Sequence, residues 1–268
     1  MIVRQSNGQG YVFYPSTVWV DPSEQEIKRL FDDLEEVIRL PDAWKDVTVD
    51  FTYCEFLNHT AVACLGGLAR LVESRGGRMR FSWETLSKAI YTNLAQNGFI
   101  FDFDRSRSPW DGNSVPYWSA IRHEPQAVVE YLRDRWLGKG WVNVSDGLRN
   151  GIAGQVSELY LNAFDHSQSQ IGVVSCGQYY ETTGLLQLTI ADFGVGIPGT
   201  VCGLPQNHGL STCEALRWAF SLGNSSRQGI CSGMGLSLTE EFVAKNHGKL
   251  SLYTHDGRVT VDHNGTRY

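Results

Sequence analysis

The chain lacks the patterns that mark several large protein classes. Its six cysteines, Cys54, Cys64, Cys176, Cys202, Cys213 and Cys231, include no CxxC pair and no metal-ligand spacing. Several lie in apolar segments, where a free thiol packs as a small hydrophobe, so a reducing compartment is expected. No apolar run is long enough to cross a bilayer, and the N-terminal MIVRQSNGQGYVF has no basic stretch leading into an apolar one. A cytoplasmic protein is therefore expected, with no membrane contact. Lysine and arginine number 23 against 29 aspartate and glutamate, a formal charge of -6, and the basic residues are scattered. That distribution recommends neither a nucleic-acid groove nor binding to an anionic membrane. What the chain does have is 268 residues, 42% of them hydrophobic and 12% aromatic, enough for one large packed domain or two small ones.

In the first third, β-branched and aromatic runs between Gly10 and Val20, divided by Pro15, predict one or two short strands. Asp21-Pro22-Ser23 opens a helix, with Ser23 and Glu26 at capping-box spacing and apolar residues at Ile27, Leu30, Phe31, Leu34 and Ile38. Val47 to Phe51 reads as a strand. Thr60 to Ser74 reads as a helix with Val62, Leu65, Leu68, Ala69 and Val72 inward, and Gly76-Gly77 ends it before a strand at Arg78 to Phe81. Alternating strands and helices predict a helix-covered sheet.

The segment VTVDFTYCEFLNHTAVACLGGLARLVESRGGRMRF resembles the core of the STAS domain, the fold of anti-sigma-factor antagonists. In that family a strand ending in Asp leads through an Asp-Ser-Ser-Gly-like turn into a helix. Here the turn is Asn58-His59-Thr60-Ala61, with Asn58 in place of the acid and His59 in place of the first serine. Thr60 falls where the family has its regulatory phospho-acceptor, and a phosphate is electrostatically favourable at a helix N-terminus. On the residues alone, Asn58 or Thr60 simply caps the helix.

Further on, Glu84 to Gln96 reads as a helix and Phe99 to Phe103 alternates like a strand. Ser106 to Tyr117, rich in Ser, Pro, Gly and Asn, reads as a loop and a domain boundary, and a helix follows over about Pro125 to Leu137. The chain thus divides into residues 1–105, a linker and connecting helix over 106–144, and a second domain over 145–268.

That second domain begins with a helix carrying ELYLNAFDHS. Glu158, Asn162 and His166 are spaced four apart and share a stripe, beside an apolar one of Leu148, Ile152, Val156, Leu159 and Ala163. A carboxylate and an amide aimed at one space suit a water to be activated beside a hard cation such as Mg²⁺. A solvated helix face has the same spacing. Ile171 to Cys176 and Leu185 to Ala191 read as a hairpin joined through Glu181-Thr182-Thr183-Gly184. Its second strand delivers Asp192-Phe193-Gly194-Val195-Gly196-Ile197, an acid beside a glycine-containing backbone that a flat ligand can approach. Any tight turn can look alike. After a lid-like stretch, His208 to Ser232, in which Ser211 and Glu214 cap a helix, comes Gly229-Ile230-Cys231-Ser232-Gly233-Met234-Gly235-Leu236 and another helix. Glycines before a helix start free N–H groups for a phosphate, or merely turn the chain into the helix.

Taken in order, these three boxes resemble the GHKL ATPases, the Bergerat-fold superfamily of gyrase B, Hsp90, MutL, histidine kinases and anti-sigma kinases. The resemblance covers residues 145–268 and implies an α/β sandwich that binds Mg-ATP over a mixed sheet covered by helices on one face. Asp192 would accept a hydrogen bond from the adenine amino group, with Gly194, Gly196 and Ile197 close to the base. Asn162 would hold the Mg²⁺, and Gly229, Gly233, Gly235 and Leu236 would border the phosphates. Asp165 would contact the nucleotide through water, Arg227 would reach the γ-phosphate, and Glu158 would be the base.

No phospho-acceptor hairpin like that of histidine kinases lies between Ser106 and Ser145, and Glu158 stands where hydrolases and anti-sigma serine kinases of the superfamily carry their base. NAFDH looks most like the NAxxH form of the anti-sigma kinases, and the STAS-like segment points the same way. Gyrase- and MutL-type enzymes need a following transducer domain, and none fits in the residues left. The expectation is a cytosolic Mg-ATP-dependent signalling protein, an ATPase or anti-sigma-like serine kinase, with a protein partner or a second copy of itself. The alternative is a non-enzymatic ATP-dependent interaction switch. Leu250 to Thr254 and Arg258 to Val261 read as a hairpin, and Asn264-Gly265 begins another turn. Tyr268 stands where the family adds a last strand, so the domain is expected to lack it or the natural chain to continue.

Overall fold

Where capping chemistry is written in the sequence, the helices start as it says. Ser23 and Glu26 form a capping box ahead of α1 (Glu24–Ile38), and Asn58 caps α2 (His59–Ser74), its side chain accepting the Ala61 N–H at 2.9 Å. The computed structural model describes residues 1–4, 10–40, 46–224 and 235–268. They form a mixed α/β protein of two compact units, Met1–Ile121 with Gly140–Val142 and Val173–Ala191, and Arg122–Lys139 with Asn143–Gly172 and Asp192–Tyr268. Compactness therefore groups the chain differently from the expected division at 105 and 145. Among the described residues, no helix is long and apolar enough to cross a membrane.

In the first unit, β1 (Ile2–Arg4), β2 (Tyr11–Phe13), β3 (Asp46–Asp50) and β4 (Arg78–Ser82) form a sheet in that order. The β1 pairing is antiparallel and the other two are parallel. α1 buries Ile27, Leu30, Leu34 and Val37, and α2 buries residues around most of its circumference, from Ala61 through Leu71. The helix expected from Glu84 starts later: Trp83–Thr85 is a 3-10 turn, and α3 (Lys88–Gln96) opens on a Ser87 cap.

Phe99 to Phe103 is not a strand but part of α4 (Phe99–Asp104). Gly98, at φ +83°, turns the chain, and Asn97 Oδ1 accepts the Phe99 N–H at 3.0 Å. Helical spacing then brings Phe99 and Phe103 together, ring centroids 4.7 Å apart, in a cluster with Phe81 and Tyr117. The expected loop at Ser106 to Tyr117 likewise ends in β5 (Ser114–Ala120), antiparallel to β6 (Val173–Tyr180). The ladder shifts register between Val115 and Trp118, around Pro116, which has no N–H to give. β7 (Leu185–Asp192) completes this sheet in the order β5-β6-β7, with the expected turn at Gly184 (φ +67°). α2 packs on β6: His59 Nδ1 lies 3.1 Å from the Tyr180 hydroxyl, and Thr60 Oγ1 lies 2.8 Å from Thr189 Oγ1.

In the second unit, α5 (Pro125–Glu130) continues into a π-helical turn at Tyr131–Trp136, and α6 (Asp146–His166) opens on a Ser145 cap. α7 (Gly196–Cys202), α8 (Thr212–Phe220, with the Ser211–Glu214 capping box) and α9 (Gly235–Lys245) follow. β8 (Leu250–Thr254), β9 (Gly257–Asp262) and β10 (Gly265–Arg267) form an antiparallel sheet in the order β10-β9-β8. Leu216 and Phe220 of α8 and Val259 and Val261 of β9 make its core, with Ile197, Leu236 and Val243 packed on it. The strands expected to form one mixed sheet after residue 145 are thus found in two three-stranded sheets. Asn264-Gly265, expected to begin a turn, leads into β10 where no last strand was expected.

Candidate functional site

The long helix α6 departs from its expected stripe. Leu148, Ile152, Val156, Leu159 and Ala163 are all half-buried, and the buried positions are Ala153 and Tyr160. The cause is that α6 has neighbours on several sides, α5 and its π-helical extension, α7 and α9, so burial is spread around it. One contact face can be followed residue by residue. α6 and α9 run antiparallel, and a Cβ built on Gly151 would lie 3.2 Å from the Phe242 ring. One turn along α6, Gln155 Oε1 is 3.2 Å from Thr239 Oγ1. A further turn brings Gly235, the first residue of α9, opposite Glu158 and Asn162. A Cβ built there would stand 3.6 Å from Asn162 Nδ2 and 3.9 Å from Glu158 Oε2. Two residues of the first box and one of the third, more than 70 positions apart in sequence, are therefore neighbours.

Glu158 is exposed and Asn162 half-buried. Facing Gly235 are the Glu158 carboxylate and the Asn162 amide, whose nearer atom is Nδ2, so its oxygen would serve a metal only with the amide turned, and among the described residues no cluster of three or more His, Cys, Asp or Glu could hold a metal. A metal seated here would draw on Asn162 and Glu158 and would need its remaining ligands from a bound molecule or water.

The second box closes onto the end of the same helix. Asp192 ends β7, and its Oδ1 accepts the Gly194 N–H at 3.0 Å. Burial raises the Asp192 pKa above the usual carboxylate value, and the Gly194 hydrogen bond offsets part of that rise. The Val195 N–H donates to Ser167 O at 2.7 Å, and Thr200 Oγ1 donates to His166 O at 2.9 Å. The DxGxG turn is in this way hung from the C-terminal end of α6.

Its glycines have reasons internal to the protein. A Cβ at Gly194 would lie 1.8 Å from Ser167 O, and Gly196 sits at φ +65° with Thr254 Oγ1 2.5 Å from where a Cβ would go. These two identities follow from chain packing, so a ligand need not be invoked for them. Gly235 differs: a methyl there would make ordinary van der Waals contacts, and its effect would be to fill the space in front of Glu158 and Asn162.

Of the remaining expected residues, Asp165 is exposed on the last turn of α6, and Ile197 and Leu236 turn their side chains into the α8–β9 core. Arg227, Gly229 and Gly233 lie outside the described residues. Sequence reading missed Gln155, Thr239, Ser167 and Thr200. The first two stand three residues before Glu158 and four after Gly235, a helical spacing that could have marked them. Among family models, curated proteins and solved structures, no match to the chain was found.

Proposed function

We propose that the second unit binds Mg-ATP in the manner of the GHKL superfamily, and that the protein is a cytosolic signalling ATPase or serine kinase. The observation that carries this reading is the meeting of Glu158 and Asn162 with Gly235 at the first turn of α9, in a unit that also holds the half-buried carboxylate of Asp192. Bound Mg-ATP supplies a transferable γ-phosphoryl group. Asp192 would accept a hydrogen bond from the adenine amino group. Asn162 would give its amide oxygen to the metal, and the N–H groups at the start of α9, at the positive end of the helix dipole, would face the phosphates. Glu158, beside that helix end, would take a proton from water or a substrate hydroxyl. The STAS-like segment of the first unit accords with a role in signalling.

One observation favours the second reading, a nucleotide-dependent switch without turnover. Glu158 is exposed, and no described side chain orients its carboxylate. Purified protein incubated with labelled ATP and Mg²⁺, assayed for free phosphate and for phosphoprotein, separates the two. Turnover that falls roughly a hundredfold to ten-thousandfold in Glu158→Ala supports the base. ATP binding with neither product formed supports the switch, and no ATP binding at all would sink both.

A further inference from the structure

We infer that Thr239, acting with Gln155, is a positioning residue that sets the register of the phosphate-facing end of α9 against Glu158 and Asn162; this rests on the nucleotide-site reading above. Thr239 is 2% exposed. Its one hydroxyl proton goes to Gly235 O, one turn back in its own helix, at 2.8 Å, and the Gln155 side-chain amide on α6 lies 3.2 Å from the same oxygen, where an amide turned to present Nε2 donates to it. A helical threonine bonded to the carbonyl four residues back is common and by itself says little. The second partner, on the facing helix, makes the difference. The hydroxyl joins the first residue of α9 to a residue three positions before Glu158, and it does so out of water, where an unmet polar group is costly.

The adjoining contact between the helices, Gly151 against the Phe242 ring, is apolar. Apolar contacts are non-directional and tolerate small slips along or around a helix; a buried hydrogen bond does not. The hydrogen-bond partners described for Thr239 are Gly235 O and Gln155, so its influence would be on placement. Placement matters where phosphates are to be held, since a displacement of about 1 Å can cost on the order of a hundredfold.

The test uses the full chain and two ligands that share the adenine but not the phosphates. Mg-ATP and adenosine are titrated calorimetrically into the parent, Thr239→Ser, Thr239→Val and Gln155→Met, with urea unfolding measured in parallel. The expected result is near-parental Mg-ATP affinity in Thr239→Ser and a loss of roughly tenfold or more in Thr239→Val, with adenosine affinity unchanged. Gln155→Met, at a half-buried position, should show the same selective loss and decides the matter if Thr239→Val does not fold. An equal loss for both ligands, or no loss for either, would overturn the positioning role and leave the nucleotide site standing. A parent that binds neither ligand overturns the site and this inference together.

Discussion

Two helices, one from each unit, show how differently the chain uses its long helical segments. α2 buries 11 of its 16 residues, including both glycines of its middle turn, while α6, at 21 residues, buries only Ala153 and Tyr160. Gly66 of α2 is pressed against the Tyr117 ring, where a Cβ would lie 2.4 Å from a ring carbon. Gly235, facing α6, leaves room for a methyl. α2 is therefore structural on nearly every side. α6 keeps polar groups at its edge, unburied, where a ligand can meet them. The same contrast appears in ionisable groups. On α2, His59 is buried as the neutral imidazole, its pKa pushed down to about 4 by desolvation. On α6, Glu158 and Asp165 stand in solvent.

The largest expected effect on stability lies where packing is tightest. Gly194→Ala would drive a methyl into the Ser167 carbonyl that anchors the DxGxG turn, and loss of several kcal/mol, or of cooperative folding, should appear in urea denaturation. Leu68→Ala, at a fully buried position of α2, should cost about 2–5 kcal/mol, and Val156→Ala on half-buried α6 about 1 kcal/mol or less. Equal costs at these two positions would break the comparison between the helices.

Next comes pH. The unfolded chain protonates His59 near its ordinary value of 6.5, whereas the folded chain resists until about 4. Stability is thus fully present above about 6.5 and is lost as pH falls toward 4, by on the order of 3 kcal/mol. His59→Phe should flatten that part of the curve. Asp192 has the opposite sign, because burial raises its pKa: its ionised form is penalised in the folded state, so stability falls as pH rises past the ordinary carboxylate value. Asp192→Asn, which keeps an acceptor for the Gly194 N–H, should raise the thermal midpoint slightly at neutral pH. Smallest of all, Gly235→Ala should leave the unfolding midpoint within about 1 kcal/mol of the parent while weakening nucleotide binding.

Sequence patterns gave the elements whose signals are local. The capping residues at Ser23, Asn58 and Ser211 each start a helix near the expected place, and the turn at Gly184 joins the expected strands. The errors fell where distant partners decide. Phe99 to Phe103 alternates like a strand, but an aromatic cluster drawn from residues 81 to 117 rewards the helix. Ser106 to Tyr117 has loop composition, yet from Ser114 onward β6, more than 50 residues downstream, gives the backbone a ladder. At the candidate site, the spacing of Glu158 and Asn162 was legible, since four residues make one turn. That Gly235 would stand before them depended on the antiparallel packing of α6 and α9. Thr239 and Gln155, which tie that packing, carry no mark in a single sequence beyond their spacing.

The most direct measurement is an equilibrium titration of Mg-ATP into the parent and into Asn162→Ala, with urea unfolding of both. Saturable binding by the parent, weakened tenfold or more in Asn162→Ala at an unchanged unfolding midpoint, is the predicted result. A parent that does not bind Mg-ATP, or an Asn162→Ala variant that binds it equally well, would contradict the assignment of the α6–α9 face as a nucleotide site.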